Sequence, residues 1–214
     1  MRLSRSKLPI SACLTATLVA ALASCASVPG DSVVHHSSAD ASRPRTARTE
    51  PVHVLGPSVE GLKAAFNEAK GRPRLIALLS PSCPRCQASS DSIVTALAGA
   101  PEGADPAVLV VWLEVFARDD AQTCSDAMIR FAGTPTQGFL DDQRIAGRLL
   151  TRGRLPIGVA RHLFLWYEPG VEWNDRPPEP AGWGHQLRRH DPTAFYSHEE
   201  LEQQLTRVFA PTTR

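Results

Sequence analysis

The feature that most constrains this chain is Cys83-Pro84-Arg85-Cys86, which follows the apolar run Arg74 to Leu79 and precedes a stretch with helical spacing at Ile93, Val94 and Leu97. The apolar run is bounded by Pro73 and by Ser80-Pro81. It predicts a strand buried on both faces, the strand type of a parallel sheet. A thiol pair at such a strand-to-helix junction sits at a helix N-terminus, where unpaired N–H groups and the helix dipole favour a thiolate. As a static disulfide the pair would close too small a ring to add much stability. The spacing therefore favours a reactive dithiol over a structural bridge or a pair of small buried apolar residues.

Around this junction the pattern alternates. Val52 to Leu55 reads as a strand, Gly56-Pro57 as a turn, and Ser58 as the cap of a helix carrying Leu62, Ala65, Phe66 and Ala69 on one face, which Gly71 ends. Val108 to Phe116 is a second buried strand after the Gly-, Pro- and Ala-rich loop 99–106. Strand, helix, strand, helix, strand implies right-handed crossovers and an α/β fold with a mainly parallel central sheet. Further on, Gln122 to Phe131 is predicted helical, Thr136 to Leu140 a short strand and Asp141 to Leu150 helical. Glu168-Pro169-Gly170 is predicted to join Leu163 to Tyr167 and Val171 to Trp173 into a hairpin. Ser197-His198-Glu199-Glu200 matches a capping box and opens a last helix with Leu201, Leu205 and Phe209 in step.

The first residues have another character. Arg2, Arg5 and Lys7 precede the uncharged stretch Leu8 to Leu22, as an export signal requires, and the stretch is too short for a membrane span. It closes on Leu22-Ala23-Ser24-Cys25, which resembles a bacterial lipobox. The expectation is a signal peptide over 1–24, lipid on Cys25, a tether over 25–51, a domain over 52–209 and a tail over 210–214, in a protein anchored to a membrane of the cell envelope. The tether carries His35-His36, an adjacent pair more often incidental than metal-binding. With 23 basic and 22 acidic residues in the whole chain, charge gives no case for a nucleic-acid partner. Removing the signal takes three cations and leaves a formal charge near −2. Of the five cysteines, Cys13 leaves with the signal and Cys25 carries lipid, so Cys83, Cys86 and Cys124 remain as thiols. An odd count outside the cytoplasm argues against a purely structural disulfide framework.

The element order, with the dithiol at the end of the second strand, resembles the thioredoxin fold over residues 52 to 209. The stretch Gly138 to Arg148 resembles the inserted strand-helix segment of the membrane-attached TlpA and ResA type proteins, which are envelope thiol-disulfide oxidoreductases. That resemblance implies a central mixed sheet flanked by helices, exchange with protein thiols or disulfides, and no cofactor. It differs from the family in two places. An aromatic residue usually precedes the first cysteine, where this chain has Ser82. A cis-proline usually precedes the hairpin and packs against the dithiol; counting back places that site at Ala160-Arg161, with Pro156 the nearest proline before it.

Within this frame Cys83 is the expected attacking thiol, with Arg85 a neighbouring cation, and Cys86, one turn into the helix, the resolving thiol. Pro84 fits the first helical turn without losing a hydrogen bond. Two rival readings use the same residues. A copper-handling protein would need a third ligand such as Cys124 or His162, and a redox-inactive binding module would follow from the altered proline site. Cys124 is otherwise an idle thiol, and Trp166, Tyr167 and Trp173 are core aromatics. Trp183, His185 and His190 lie in a Pro- and Gly-rich segment expected to be irregular. Asp126 and Glu114 are the carboxylates to watch for proton transfer.

Overall fold

The computed structural model describes residues 51–156 and 161–210. The signal, Cys25, all but the last residue of the tether, Ala160 and residues 211–214 of the tail lie outside the described residues. No described helix is long and apolar enough to cross a membrane.

The strands are β1 (His53–Val54), β2 (Arg74–Leu79), β3 (Ala107–Leu113), β4 (Thr136–Asp141), β5 (Leu163–Tyr167) and β6 (Gly182–His185). The helices are α1 (Glu60–Glu68), α2 (Pro84–Ala98), α3 (Ala121–Met128), α4 (Ile145–Thr151) and α5 (His198–Phe209). All six strands form one sheet in the order β1-β4-β3-β2-β5-β6. The first four run parallel, β5 is antiparallel to β2, and β6 is antiparallel to β5. Every residue of β2, β3 and β5 is buried, because each of these strands has helices or loops on both faces. Alternate side chains of β2 divide between two cores. Leu75, Ala77 and Leu79 pack with Ile93 of α2 and with Leu201, Leu205 and Phe209 of α5. Ile76 and Leu78 pack with Leu62 and Phe66 of α1 and with Leu150 of α4. Two of the capping boxes are complete: Ser197 with Glu200 on α5, as expected, and Asp120 with Thr123 on α3.

The segment from 138 to 148 does hold strand and helix, and β4 lies inside the sheet between β1 and β3. The expected hairpin is corrected. Gly170 turns the chain at φ 90, but 171–173 forms no strand, and β5 pairs instead with Gly182 to His185. Two contacts explain this. The Arg74 guanidinium donates to the Glu168 and Val171 carbonyls at 2.6 and 2.8 Å. Asn67 also holds the Trp173 backbone through two 2.8 Å bonds, so the Val171 carbonyl and both backbone groups of Trp173 are already taken. Meanwhile the glycines of β6 admit rings from neighbouring elements. A Cβ at Gly182 would overlap the Trp166 indole, and one at Gly184 the Tyr196 ring. Trp183 and His185 are thus strand residues, with His185 fully buried.

Candidate active site

The site forms where β2 ends and α2 begins. Cys83 is the extended residue capping α2, and Pro84 occupies its first turn. Both are buried, Cys83 keeping 7% exposure and Cys86 none, so Cys83 is the outer residue of the pair. Both are free thiols. The Ser80 N–H donates to Cys86 Sγ at 3.3 Å.

His162 closes the site from the opposite side. Its Nε2 lies 3.6 Å from Cys83 Sγ and 3.5 Å from Cys86 Sγ. The residue has φ 61, in the left-handed region that costs a non-glycine residue about 1 kcal/mol. Sheet bonds hold it there: its N–H donates to the Leu78 carbonyl at 2.7 Å, and its carbonyl accepts from Gln186 N–H at 3.2 Å. The side chain that meets the dithiol just ahead of β5 is therefore His162. Arg161, expected beside the dithiol, has its guanidinium 5.8 Å from the Phe116 ring centre. Pro156 is exposed.

The electrostatics separate the two thiols. A hydrogen bond from the Cys86 thiol, helped by the N–H groups of Cys86 and Arg85 and the charge of Arg161, outweighs burial and brings Cys83 down to about 6. Cys86 is pushed far up by that same hydrogen bond and by burial. Burial brings His162 down to about 4, with the positive Arg161 and Arg85 acting in the same direction, so its imidazole is neutral at pH 7. A neutral ring has one nitrogen free to accept a proton.

Asp119 supports the approach to Cys83 and was not singled out by the sequence pattern. It accepts from Ser80 Oγ at 2.8 Å, from Ser82 N–H at 3.2 Å and from the Ser82 hydroxyl. It also accepts from the N–H groups of Val115 and Phe116, each at 2.9 Å. Burial alone would raise its pKa, but the bonds from Ser82, Phe116, Ser80 and Val115 bring it below the usual carboxylate range. An ionised Asp119 thus ties the loop after β3 to the turn before Cys83, and Ser82 serves this bond. The available signal was the Asp119-Asp120 doublet: a helix cap needs one aspartate, and Asp120 is that cap.

The remaining candidates separate from the site. Cys124 is fully buried and is pushed up to about 12 by burial and by the charges of Asp119, Glu114 and Asp120; it is not part of the cluster formed by Cys83, Cys86 and His162. Asp126 is exposed and bonded to Gln122 at 2.9 Å. Neither Asp126 nor Glu114 is hydrogen-bonded to either thiol of the dithiol.

No protein-family model and no curated protein matches the chain. Among solved structures it is similar to a secreted Mycobacterium tuberculosis disulfide oxidoreductase homologous to E. coli DsbE, at 16% identity over 65% of this chain and 84% of that one, with a TM-score of 0.41. It is also similar to a SCO1/SenC family lipoprotein from Bacillus anthracis, at 10% identity over 67% of this chain and 84% of that one, TM-score 0.42. A third is Bradyrhizobium japonicum ScoI with copper bound, at 19% identity over 66% and 87%, TM-score 0.39. The fold itself is read from its own topology. Four parallel strands, the antiparallel β5 and β6, and a Cys-x-x-Cys opening α2 make this a thioredoxin-like α/β fold.

Proposed function

We propose that this chain is a thiol-disulfide oxidoreductase of the cell envelope, exchanging disulfides with protein thiols through Cys83 and Cys86. The observation that carries this reading is the split between the two thiols: Cys83 is held near 6 at the edge of the site, while Cys86 is buried and protonated. Above pH 6 the Cys83 thiolate attacks one sulfur of a substrate disulfide. The substrate S–S bond breaks, its other sulfur leaves as a thiolate, and a Cys83 mixed disulfide forms. Cys86 must then lose its proton to attack Cys83 Sγ. His162, with Nε2 and Nδ1 at 3.5 and 3.7 Å from Cys86 Sγ, is positioned to take it. The second attack releases the remaining substrate sulfur as a thiolate and leaves Cys83 and Cys86 as a disulfide. Two electrons pass from the dithiol to the substrate. The same steps reversed oxidise a substrate dithiol. Pro84 stiffens the turn, and Arg85 and Arg161 add positive charge. The Leu22-Ala23-Ser24-Cys25 motif supports a lipid anchor on the envelope membrane.

A second reading is favoured by one specific observation. The ligand atoms of Cys83, Cys86 and His162 lie within 4.8 Å of one another, a spacing that suits a soft cation such as Cu(I) carried as cargo. Against it, Arg161 and Arg85 bring positive charge to the same place. A trapping experiment separates the two. In Cys86→Ser the resolving thiol is gone, so substrates should accumulate as mixed disulfides on Cys83, reversible by reductant. Tight stoichiometric Cu(I) binding that vanishes in Cys83→Ser, with no trapped substrate and no exchange in the wild type, would decide for the metal.

A further inference from the structure

The ion pairs of the described residues all lie away from the dithiol: Lys63 with Glu60, Lys70 with Glu172, Arg72 with Asp105, Arg130 with Asp91 and Arg154 with Glu179. The arginines around the dithiol are different. Arg85, Arg118, Arg161 and Arg188 take part in none of these pairs, and Arg85, Arg118 and Arg188 are exposed. In a chain whose formal charge is only +1, these are cations with no carboxylate at ion-pair distance.

Two of them line a groove. A cavity of about 440 Å³ opens beside the dithiol between Arg85, Gln186, Arg188, Phe195, Tyr196 and His198. Neither cysteine lines it, but Arg85 stands between the two cysteines in sequence and Gln186 N–H is bonded to the His162 carbonyl, so the groove adjoins the segments that carry the site. Its floor is fixed. Gln186 is buried, accepts from Ser89 Oγ at 2.5 Å and meets His198 Nδ1 at 3.2 Å, joining α2 to α5. The nearby carboxylates Asp191 and Glu200 keep their negative charge but are turned to backbone donors, Asp191 accepting from Thr193 N–H at 2.9 Å and Glu200 from Ser197 N–H at 2.7 Å, and neither pairs with Arg85 or Arg188. Two arginines and two aromatic rings in one lining suit a chain bearing negative side chains.

We propose that this groove receives a carboxylate-bearing segment of the disulfide substrate, with acidic residues flanking its cysteine, bound along Arg85 and Arg188 and packed on Phe195 and Tyr196. The proposal rests on the exchange reading and names its substrate class. Fixed cations beside a reactive centre raise the encounter rate with an anionic partner, and salt screens the effect.

The test uses the reduced full chain and three synthetic peptides with one intramolecular disulfide each, differing only in flanking residues: glutamate, glutamine or lysine. The glutamate peptide should react on the order of tenfold faster than the lysine peptide at low ionic strength. The preference should shrink at 0.5 M salt, and in Arg188→Glu it should be lost or reversed. If the glutamine peptide reacts through Cys83 but all three rates agree, the groove assignment is overturned while the exchange reading stands. If no peptide reacts, the exchange reading itself falls. A preference that survives in Arg188→Glu overturns the groove, and so does a preference for oxidised glutathione above every peptide, which would make the ligand a small anionic thiol.

Discussion

The two ends of β2 bury polar groups in opposite ways. At its start, Arg74 is fully buried, and its guanidinium donates to the carbonyls of Arg72, Phe66, Val171 and Glu168 at 2.6 to 3.2 Å while lying 4.2 Å over the Phe66 ring. At its end, Cys83, Cys86 and His162 are buried too, but they bond largely to one another: a hydrogen bond joins the two thiols, and His162 meets both sulfurs at 3.5 to 3.7 Å. A buried polar group with a full set of short bonds has no reason to change state, and it organises what surrounds it. A buried titratable set whose partners are one another can pass a proton among its members with little change in the fold around it. The first end is architecture. The second is poised for chemistry.

The largest expected effect breaks the first end. Arg74→Met strands the carbonyls of Phe66, Glu168 and Val171 without their donor and should destabilise the protein by about 3 to 5 kcal/mol in denaturant unfolding, while reactivity of the Cys83 thiol in the folded fraction is preserved. A loss below 1 kcal/mol would mean that the 168–173 segment finds other donors and that the contrast between the two ends is overdrawn.

His162→Gln sharpens the second end. Glutamine keeps polarity in the site but offers no comparable proton acceptor. The resolving step should slow by about 100-fold, so that a Cys83 mixed disulfide accumulates in stopped-flow traces, while alkylation of Cys83 changes far less. Equal slowing of both steps would reduce His162 to a packing role.

The smallest effect is a pH dependence. Alkylation of Cys83 in the reduced protein should rise through about pH 6 and level off, while Cys86 stays inert throughout. The sign for stability follows from the same shift. A thiol lowered from 9.0 to about 6 on folding contributes stability that is complete above the unfolded value and is lost as pH falls through 6. His162, lowered from 6.5 to about 4, adds a loss in the same direction over that lower window. Reduced Cys83→Ser should therefore show a flatter stability profile between pH 6 and 9. An alkylation midpoint near 9 would remove the electrostatic basis for the split between the thiols.

Much of the fold was legible in the sequence because it depends on local patterns. Apolar runs on β2 and β3, the helical spacing after Cys86 and the capping box at Ser197 each state their element within a few residues. The return strand was misread for a physical reason. Val171 and Trp173 have strand-like side chains, but Arg74 and Asn67, about a hundred positions away, capture their backbone groups. Gly182 and Gly184 have poor strand propensity, and the reason they pair is that Trp166 and Tyr196 need the space over them. No local pattern marks Asp119, because its role consists of bonds to Ser80 and Ser82, 39 and 37 residues away.

The chain's sequence by itself determined a buried strand ending in a dithiol, the helix that polarises Cys83, and the inequality between an outer and an inner thiol. These follow from periodicity, proline chemistry and the helix dipole, which act within one or two turns. Only the tertiary structure decided that His162, with a left-handed backbone held by Leu78 and Gln186, meets both sulfurs, and that Arg85 and Arg188 face one groove. Such placements depend on the register of β5 against β2 and on the packing of α2 against α5. Those are long-range contacts whose energy is a sum over many side chains, and no short stretch of sequence contains that sum.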